Sequence, residues 1–483
     1  MNQTADFVHT ESTEQAYVSS RYNFHVPIEG GALLYNSSSG AVMKLVDESG
    51  LKLAEILSTK FVTLLGDEVS EEVWAALTQG GFIVPSGFNE VDVIKERFSK
   101  ARRTAPIFLT LTTTQDCNLG CYYCYEERTK SRLGEMDLAS ILSWILNKFS
   151  DRSGGDRYLH VDWYGGEPLL NIDFIEAASP AIQQLCAENH IDYTASIISN
   201  GTLWPEDVAA FAKRHKIQQA QISFDGLREN HNQRRRYRAG FKRDGDSSFD
   251  LAVRVVDGLL SACRVDVRLN LDRGNYSDLS PFVDFAKARG WFDREYPCVM
   301  MPARLSYYTA HSAFMRKVEL DHGHLDEMRA FMKQAGAEGR LTIDEQDPEV
   351  QDFAYPRASV CAALAHNSQV VGAEGLIYKC GLLVGDRDKA VGRLANDQTD
   401  SEEQFPAAKW WESYDPTTLP NCSRCSFLPV CWGGCPLKHL NQDTHALEER
   451  SIYWRNHLPH LITRRFGEEP PAGFSFTEAD QFR

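Results

Sequence analysis

The stretch Ile107-Phe-Leu-Thr-Leu-Thr-Thr-Thr114, followed almost at once by Cys117-Asn-Leu-Gly-Cys121-Tyr-Tyr-Cys124, sets the reading of the whole chain. The first run is rich in β-branched and aromatic residues and reads as a strand. From there strands and helices alternate. MDLASILSWILNKF (136–149) has helical periodicity, YLHVDWYGG (158–166) reads as a strand, and IDFIEAASPAIQQLCAEN (172–189) as a helix. YTASIISNG (193–201), IQQAQISFDG (217–226), VDVRLNLD (265–272) and YPCVMMPARL (296–305) continue the strands. PEDVAAFAKRH (205–215), FDLAVRVVDGLLSAC (249–263) and LSPFVDFAKARG (279–290) continue the helices.

Repeated βα units imply a parallel sheet covered by helices. Right-handed crossovers wrap such units into a barrel. The expectation is an α/β fold, a partial (β/α)6 TIM-like barrel over 101–305, with its function at the C-terminal ends of the strands. The cysteine loop, GGEP, SNGT and SFDG each follow a strand.

Outward from the barrel the character changes. Residues 1–100 read as a small winged-helix-like domain: YNFHVPIEGGALLYNSSSG (22–40) gives a hairpin around a Gly-Gly turn, and 41–57 and 70–84 add helices and a strand-like FIV. Residues 91–103 form a charged connecting helix. Residues 306–355 read as a helical connector, 356–440 as a cysteine-rich, loop-rich domain, and 441–483 as a polar tail. No low-complexity tract or short-period repeat interrupts this plan.

The chain has 483 residues, 43% hydrophobic and 24% charged, with a net charge of −16. That charge argues against nucleic acid as the main partner. The polar N-terminus lacks the basic and apolar regions of a signal peptide, and no apolar run reaches the length of a bilayer span. The expectation is a cytoplasmic protein with no membrane partner.

Of 12 cysteines, nine fall in motif-like groups. Without a secretion signal, such groups read as metal or redox sites rather than disulfides. Cys186, Cys263 and Cys298 read as core thiols. Cys117, Cys121 and Cys124 are spaced C-x3-C-x2-C. Structural zinc usually draws four ligands in two pairs, whereas no fourth cysteine stands near this loop. Three thiolates on a four-iron cubane leave one iron open. Zinc and unmetallated thiols are the alternatives.

This motif, with aromatic Tyr123 before its last cysteine, resembles the radical S-adenosylmethionine superfamily over roughly 105–300. The resemblance implies a 4Fe-4S cluster whose open iron binds S-adenosylmethionine, cleavage of the C–S bond by an electron from the cluster, and hydrogen abstraction from substrate by the resulting 5′-deoxyadenosyl radical. It assigns Gly165, Gly166, Glu167 and Pro168 to the methionine amino group; the residues alone also fit a strand–helix turn. Ser199 and Asn200 suit ribose hydroxyls or the methionine carboxylate, or an N-cap cluster for the next helix. Ser223 is a cofactor contact by resemblance, and Asp225 either another contact or a backbone cap. Arg268 and Asn270 share one face of the fifth strand. His231 and Arg234–Arg238 make a basic patch, read as a solvated loop with local salt bridges or as contacts to a carboxylate.

The later cysteines, Cys361, Cys380, Cys422, Cys425, Cys431 and Cys435, resemble the SPASM domain with its auxiliary 4Fe-4S clusters. The resemblance places Cys361, Cys380 and Cys435 in one cluster and Cys422, Cys425 and Cys431 in a second; a zinc ribbon on the last four is the alternative. No cysteine follows Cys435, so the usual pattern is incomplete, and His439, Asp443 and His445 are candidate fourth ligands. One or two auxiliary clusters are expected. The whole plan is similar to maturases of ribosomally made peptides. It implies a precursor peptide held by the N-terminal module through strand addition, an intramolecular crosslink as product, and an electron donor such as flavodoxin or ferredoxin. The general base is not assigned. A formylglycine-generating sulfatase maturase and a non-catalytic iron–sulfur electron carrier are the rival readings.

Overall fold

The computed structural model describes residues 16–59, 62–64, 69–150, 157–241, 247–306, 310–336, 353–394 and 405–482. These fall into two units, one within 1–100, 351–360 and 415–483, the other within 101–350 and 361–414.

In the first unit, β1 (Tyr17–Ser19) is followed by β2 (Asn23–Ile28), β3 (Gly31–Asn36), β4 (Val42–Leu45), α1 (Glu48–Ser58), β5 (Thr63–Leu64), α2 (Glu71–Gln79), β6 (Ile83–Pro85) and α3 (Glu90–Thr104). β2, β3 and β4 make one antiparallel sheet, and β5-β1-β6 a second. The β2–β3 register pairs Ile28 with Gly31, so Glu29 and Gly30 make the turn. Gly30 sits at φ +70°, which glycine adopts without a Cβ penalty. Asn36, at the end of β3, donates through its amide to Asn23 Oδ1 of β2 at 3.0 Å and to Gly81 O, in the turn before β6, at 2.8 Å.

The second unit opens with β7 (Ile107–Thr112) and α4 (Glu135–Ser150), then β8 (Tyr158–Tyr164) and α5 (Ile172–Glu188). β9 (Asp192–Ser199), α6 (Val208–Arg214), β10 (Ile217–Phe224), α7 (Arg228–Arg234), α8 (Ser248–Leu259), β11 (Arg264–Leu271), α9 (Leu279–Ala288) and β12 (Cys298–Arg304) follow, with α10 (His322–Gly336) beyond. Strands β7 to β12 are parallel and lie side by side in chain order. The βα pattern read from the sequence is therefore present from 107 to 304.

The sheet does not stop at β7. β13 (Ser368–Val371) pairs parallel to β7, and β14 (Leu376–Tyr378) and β15 (Gly392–Arg393) extend it antiparallel, giving nine strands among the described residues. Gly375, at φ +76°, turns β13 into β14. The unit's last helix is α11 (Pro406–Ser413).

Each barrel strand alternates. Leu109, Val161, Ile197, Ile222 and Val267 point outward into the core with Ile141, Ile182, Val256 and Phe282 of the helices. α4 shows why: Ile141, Ile145 and Phe149 recur every four residues on its buried face. The opposite strand face carries Thr110, His160, Asp162, Thr194, Ser196 and Gln219, joined by side-chain hydrogen bonds or exposed in part. Closed barrels fill this space with bulky branched side chains; here it is polar. Cys186, Cys263 and Cys298 are buried.

The chain then completes the first unit with α12 (Leu428–Cys431), α13 (Pro436–Leu440), α14 (Thr444–Arg464) and α15 (Glu478–Gln481). These close a core of Phe24, Val26, Tyr35, Phe427, Trp454 and Leu458. Phe24 stacks on Phe427 at 4.8 Å and meets Phe476 at 4.9 Å. The N-terminal elements and the segment carrying Cys422 to Cys435 thus share one core. Among the described residues no helix is long and apolar enough to cross a membrane.

Candidate functional site

The cysteine loop leaves the C-terminal end of β7 and is fixed from its first residues. Thr113 N–H donates to Tyr164 O at 2.9 Å, and Asn171 Nδ2 donates to Thr113 O at 2.8 Å. Gly166 N–H donates to Thr114 O (3.0 Å) and Glu167 N–H to Asp116 O (2.9 Å). These contacts account for the glycines. A Cβ on Gly165 would collide with Thr114 O, and one on Gly166 with Asp116 O. GGEP is therefore bonded to the chain immediately before the cysteines.

Glu167 is fully buried. It accepts from Asn200 N–H at 2.7 Å, Ser199 Oγ at 2.9 Å and Leu169 N–H at 3.2 Å. Pro168 opens a short 3-10 turn, Pro168–Asn171, that Glu167 caps. Burial pushes the Glu167 carboxyl up to about 7, against the pull of those donors. Asn200 Nδ2 reaches Asn118 Oδ1 at 2.9 Å and Cys117 Sγ at 3.8 Å. SNGT does not cap the following helix: Asp207 does, accepting from Ala210 N–H at 2.9 Å. The structure thus brings Cys117, Glu167, Ser199 and Asn200 together.

Tyr123 reaches the end of β10. Its hydroxyl donates to Asp225 Oδ1 at 2.7 Å, and Asn270 Nδ2 lies 3.4 Å from both atoms. Arg268 Nε donates to Asn270 Oδ1 at 3.2 Å. Ser223 sits in register with Arg268 on the inner face, half-buried.

The basic patch is divided: Arg236 is exposed and the local salt bridges are present, but Arg235 and His231 are buried. Arg235 is buried, donating to Tyr123 OH (2.7 Å) and to Asp225 Oδ1 (3.2 Å). Arg234 donates to Asp225 Oδ2 (3.2 Å) and Asp272 Oδ2 (2.7 Å), and Tyr122 OH donates to Asp272 at 2.5 Å. Two aspartates at the ends of β10 and β11 neutralise two arginines, which is what allows them inside. Asp225 consequently pairs with side chains instead of capping backbone. His231 is buried against Phe224 and Phe249, its pKa driven well below normal by burial.

The three thiols fit a cluster by their chemistry. Burial pushes Cys117 up to about 12 and Cys124 up to about 11, and raises Cys121. Their charges act on one another through Cys121. Such thiols ionise only against a strong local positive charge, which a metal centre supplies. Among the described residues no three His, Cys, Asp or Glu side chains converge on the position of a single ion. Cys117, Cys121 and Cys124 would hold an iron–sulfur cluster, which would supply the electron for reductive cleavage of S-adenosylmethionine.

In the other unit, Cys422, Cys425 and Cys431 form a second mutually interacting set, each raised by burial. Cys435 is exposed in that unit. Cys361 is exposed and Cys380 half-buried in the barrel unit. Of the candidate fourth ligands, His439 Nε2 lies 2.8 Å from Gly433 O, Asp443 caps α14 and pairs with Lys438, and exposed His445 faces Glu449.

Sequence reasoning missed the partners behind the cysteines. Tyr125 OH and Tyr164 OH lie 2.5 Å apart, and Glu126 bonds to Tyr164, its carboxyl pushed up to about 7 by burial. The available signal was the run YEE directly after Cys124 and a tyrosine before Gly165.

Residues 111–252 match the model of the radical SAM superfamily. That likeness is carried by the segment holding the cysteine loop, GGEP, SNGT and SFDG, and with the maturase relatives it marks the chain as an enzyme. It is 27% identical to the serine-type anaerobic sulfatase-maturating enzyme of Klebsiella aerogenes over 346 residues, 67% of this chain and 78% of that protein. It is 24% identical to the mycofactocin maturase MftC of Mycolicibacterium smegmatis over 337 residues, 68% of this chain and 78% of that protein. It is 23% identical to the antilisterial bacteriocin subtilosin biosynthesis protein AlbA of Bacillus subtilis over 403 residues, 81% of this chain and 76% of that protein. Among solved structures, native anSMEcpe with bound AdoMet shares the fold at a TM-score of 0.53 and 18% identity, covering 75% of this chain and 100% of that one.

Proposed function

We propose that this chain is a peptide maturase that removes a hydrogen atom from a ribosomally made precursor and installs an intramolecular crosslink, a thioether or a C–C or C–O bond. The observation that carries this reading is the reach of the similarity. The subtilosin biosynthesis protein matches over 81% of this chain, against 67% for the sulfatase-maturating enzyme. Glu167, Ser199 and Asn200 hold S-adenosylmethionine beside Cys117, and Gly165, Gly166 and Pro168 set that strand end. Tyr123, Ser223, Arg268 and Asn270 line the adjacent wall. The polar inner face below them, with His160 and Asp162, receives the peptide segment to be modified. The outer edge of β4, which pairs only with β3 among the described strands, offers main-chain hydrogen bonds to a leader strand. Cys422, Cys425 and Cys431 would hold an auxiliary cluster, a group able to accept an electron; Cys361 and Cys380 are the thiols of the barrel unit available for a further one.

A second reading, conversion of a serine or cysteine in a protein substrate to formylglycine, is favoured by the 27% identity to the sulfatase-maturating enzyme. Co-expression with candidate precursor peptides and, separately, with a sulfatase-derived serine or cysteine peptide, followed by mass spectrometry, separates the two. A crosslink appears as loss of two hydrogens with no reaction toward hydroxylamine. Oxidation of serine loses the same mass but yields an aldehyde that hydroxylamine captures. An aldehyde product would replace the first reading with the second. Absence of 5′-deoxyadenosine from the reduced, cluster-loaded protein would remove both.

A further inference from the structure

The segment Arg234–Arg238 lies antiparallel along the cysteine loop. Leu119 and Tyr237 form a β-bridge, Gly120 N–H donates to Arg236 O at 2.7 Å, and Arg238 N–H donates to Asn118 O at 3.0 Å. Arg238 NH1 adds a bond to Cys117 O at 2.6 Å and pairs with Asp116. The backbone of the loop is therefore held by this segment rather than by the cysteines alone.

Two side-chain sets repeat the arrangement. Tyr123 is gripped by Arg235 and Asp225, and Tyr122 by Asp272, which Arg234 holds. The guanidinium of Arg234 lies over the Tyr122 ring, 5.1 Å from its centroid. Both tyrosines lie between Cys121 and Cys124, so each clamp acts on the short span that spaces two sulfurs.

Both charges stand beside the loop. Arg235 NH1 and Asp225 Oδ1 each bond the hydroxyl of Tyr123, the residue before Cys124, and both side chains are buried. A buried charge at this range is poorly screened by solvent, and the potential of an iron–sulfur cluster follows nearby charge and hydrogen bonding to its sulfurs.

We propose that Arg235 and Asp225 are positioning residues that act through Tyr123, fixing the cysteine loop while setting the reduction potential of the cluster it carries. Reduction adds an electron to the cluster, so a cation beside it favours the reduced state and raises the potential. An anion lowers it. The pair tunes how readily the enzyme accepts the electron that starts its chemistry.

The test is a potentiometric titration of the full-length, anaerobically reconstituted protein. It follows the EPR signal that changes on addition of S-adenosylmethionine, with iron content measured in parallel. Arg235→Met moves the potential to more negative values. Asp225→Asn moves it to more positive values. Opposite shifts from two partners of one ion pair are a charge effect, which loosening of the loop does not produce. Arg235→Lys keeps the charge, loses the fork and stays near the unsubstituted potential. Should Arg235→Met fail to retain iron, Asp225→Asn and Arg235→Lys carry the decision between them. Equal potentials across the loaded variants, or shifts of one sign, overturn the proposal. A chain that assembles no reducible cluster before substitution overturns it together with the family's chemistry here, and is told apart by that control.

Discussion

The backbone N–H of Asn200 donates to Glu167 Oε2 at 2.7 Å, joining the end of β9 to the end of β8. One carboxylate thereby organises two of the motifs, while Asn200 extends its own amide toward Cys117. Glu167→Gln keeps the shape and removes the charge. Hydrogen bonds to charged groups contribute about 1.5–3 kcal/mol, so the affinity for S-adenosylmethionine falls by roughly tenfold to a hundredfold. Anaerobic equilibrium dialysis with the cluster loaded measures it. Unchanged affinity would detach Glu167 from the methionine ammonium.

The same residue gives a pH dependence whose sign is fixed. Burial raises its pKa from 4.5 to about 7 in the folded, ligand-free protein. The folded chain takes up a proton as pH falls through about 7; the unfolded chain does so only near 4.5. Ionised Glu167 thus disfavours the fold above pH 7, and that cost fades as pH drops toward the unfolded value. An ammonium ligand requires the carboxylate. Binding of S-adenosylmethionine weakens below about pH 7, by at most about tenfold per pH unit, and the dependence flattens in Glu167→Gln.

Much of this site is legible from the sequence because its signals are local. Period-two runs such as YLHVDWY and TASIIS end at their motifs, so Glu167, Ser199 and Asn200 could be placed before any geometry. The arginine clamp is not local. Arg234 and Arg235 could be read as solvated or as carboxylate contacts, and only Asp225 and Asp272, from two separate strand ends, make them a paired set with Arg235 buried and Arg234 largely so. β13 was hidden for another reason: four residues, SQVV, between cysteine-bearing loops carry too little periodicity, and their parallel partner β7 lies far away in sequence. The same holds for the core uniting Phe24 with Phe427, which no local pattern links.

The polar inner face makes a prediction separable from cofactor binding. His160 Nδ1 lies 2.7 Å from Thr194 Oγ1 and its Nε2 3.1 Å from Asp162 Oδ1, while Thr110 also donates to Asp162 at 3.2 Å. Those donors hold Asp162 below its ordinary pKa although burial opposes them. His160→Ala opens this wall without touching the residues that surround Glu167. The KM for the precursor peptide rises about tenfold, the loss of roughly one good hydrogen bond, while the Kd for S-adenosylmethionine holds. Steady-state kinetics on the peptide, paired with dialysis, reads the two separately. An equal loss in both would place His160 in the cofactor site instead.

The shared core of the first unit ties an N-terminal side chain to the later cysteines. Phe24 is fully buried against Phe427, two residues beyond Cys425. Cutting a buried phenylalanine to alanine costs about 3–5 kcal/mol, which for a unit of this size lowers Tm by roughly 10 °C. The loosened Phe427 frees the turn in which Leu428 N–H donates to Cys425 O at 3.1 Å, so the spacing of Cys422, Cys425 and Cys431 slackens with it. Phe24→Ala therefore loses iron from the auxiliary set while the signal from the Cys117 loop, in the other unit, persists. Phe24→Leu, which retains most of the buried volume, recovers much of both losses. The same coupling makes deletion of residues 1–100 a poor test of leader binding, since it strips a face from the core that supports the cysteines. Substitution of Lys44, the exposed residue of β4, probes the leader edge without that damage, with Glu468→Gln as the control for its 2.6 Å ion pair. If Phe24→Ala lowers Tm yet keeps its full iron content, the cysteine set is held by its own loop and the coupling is absent.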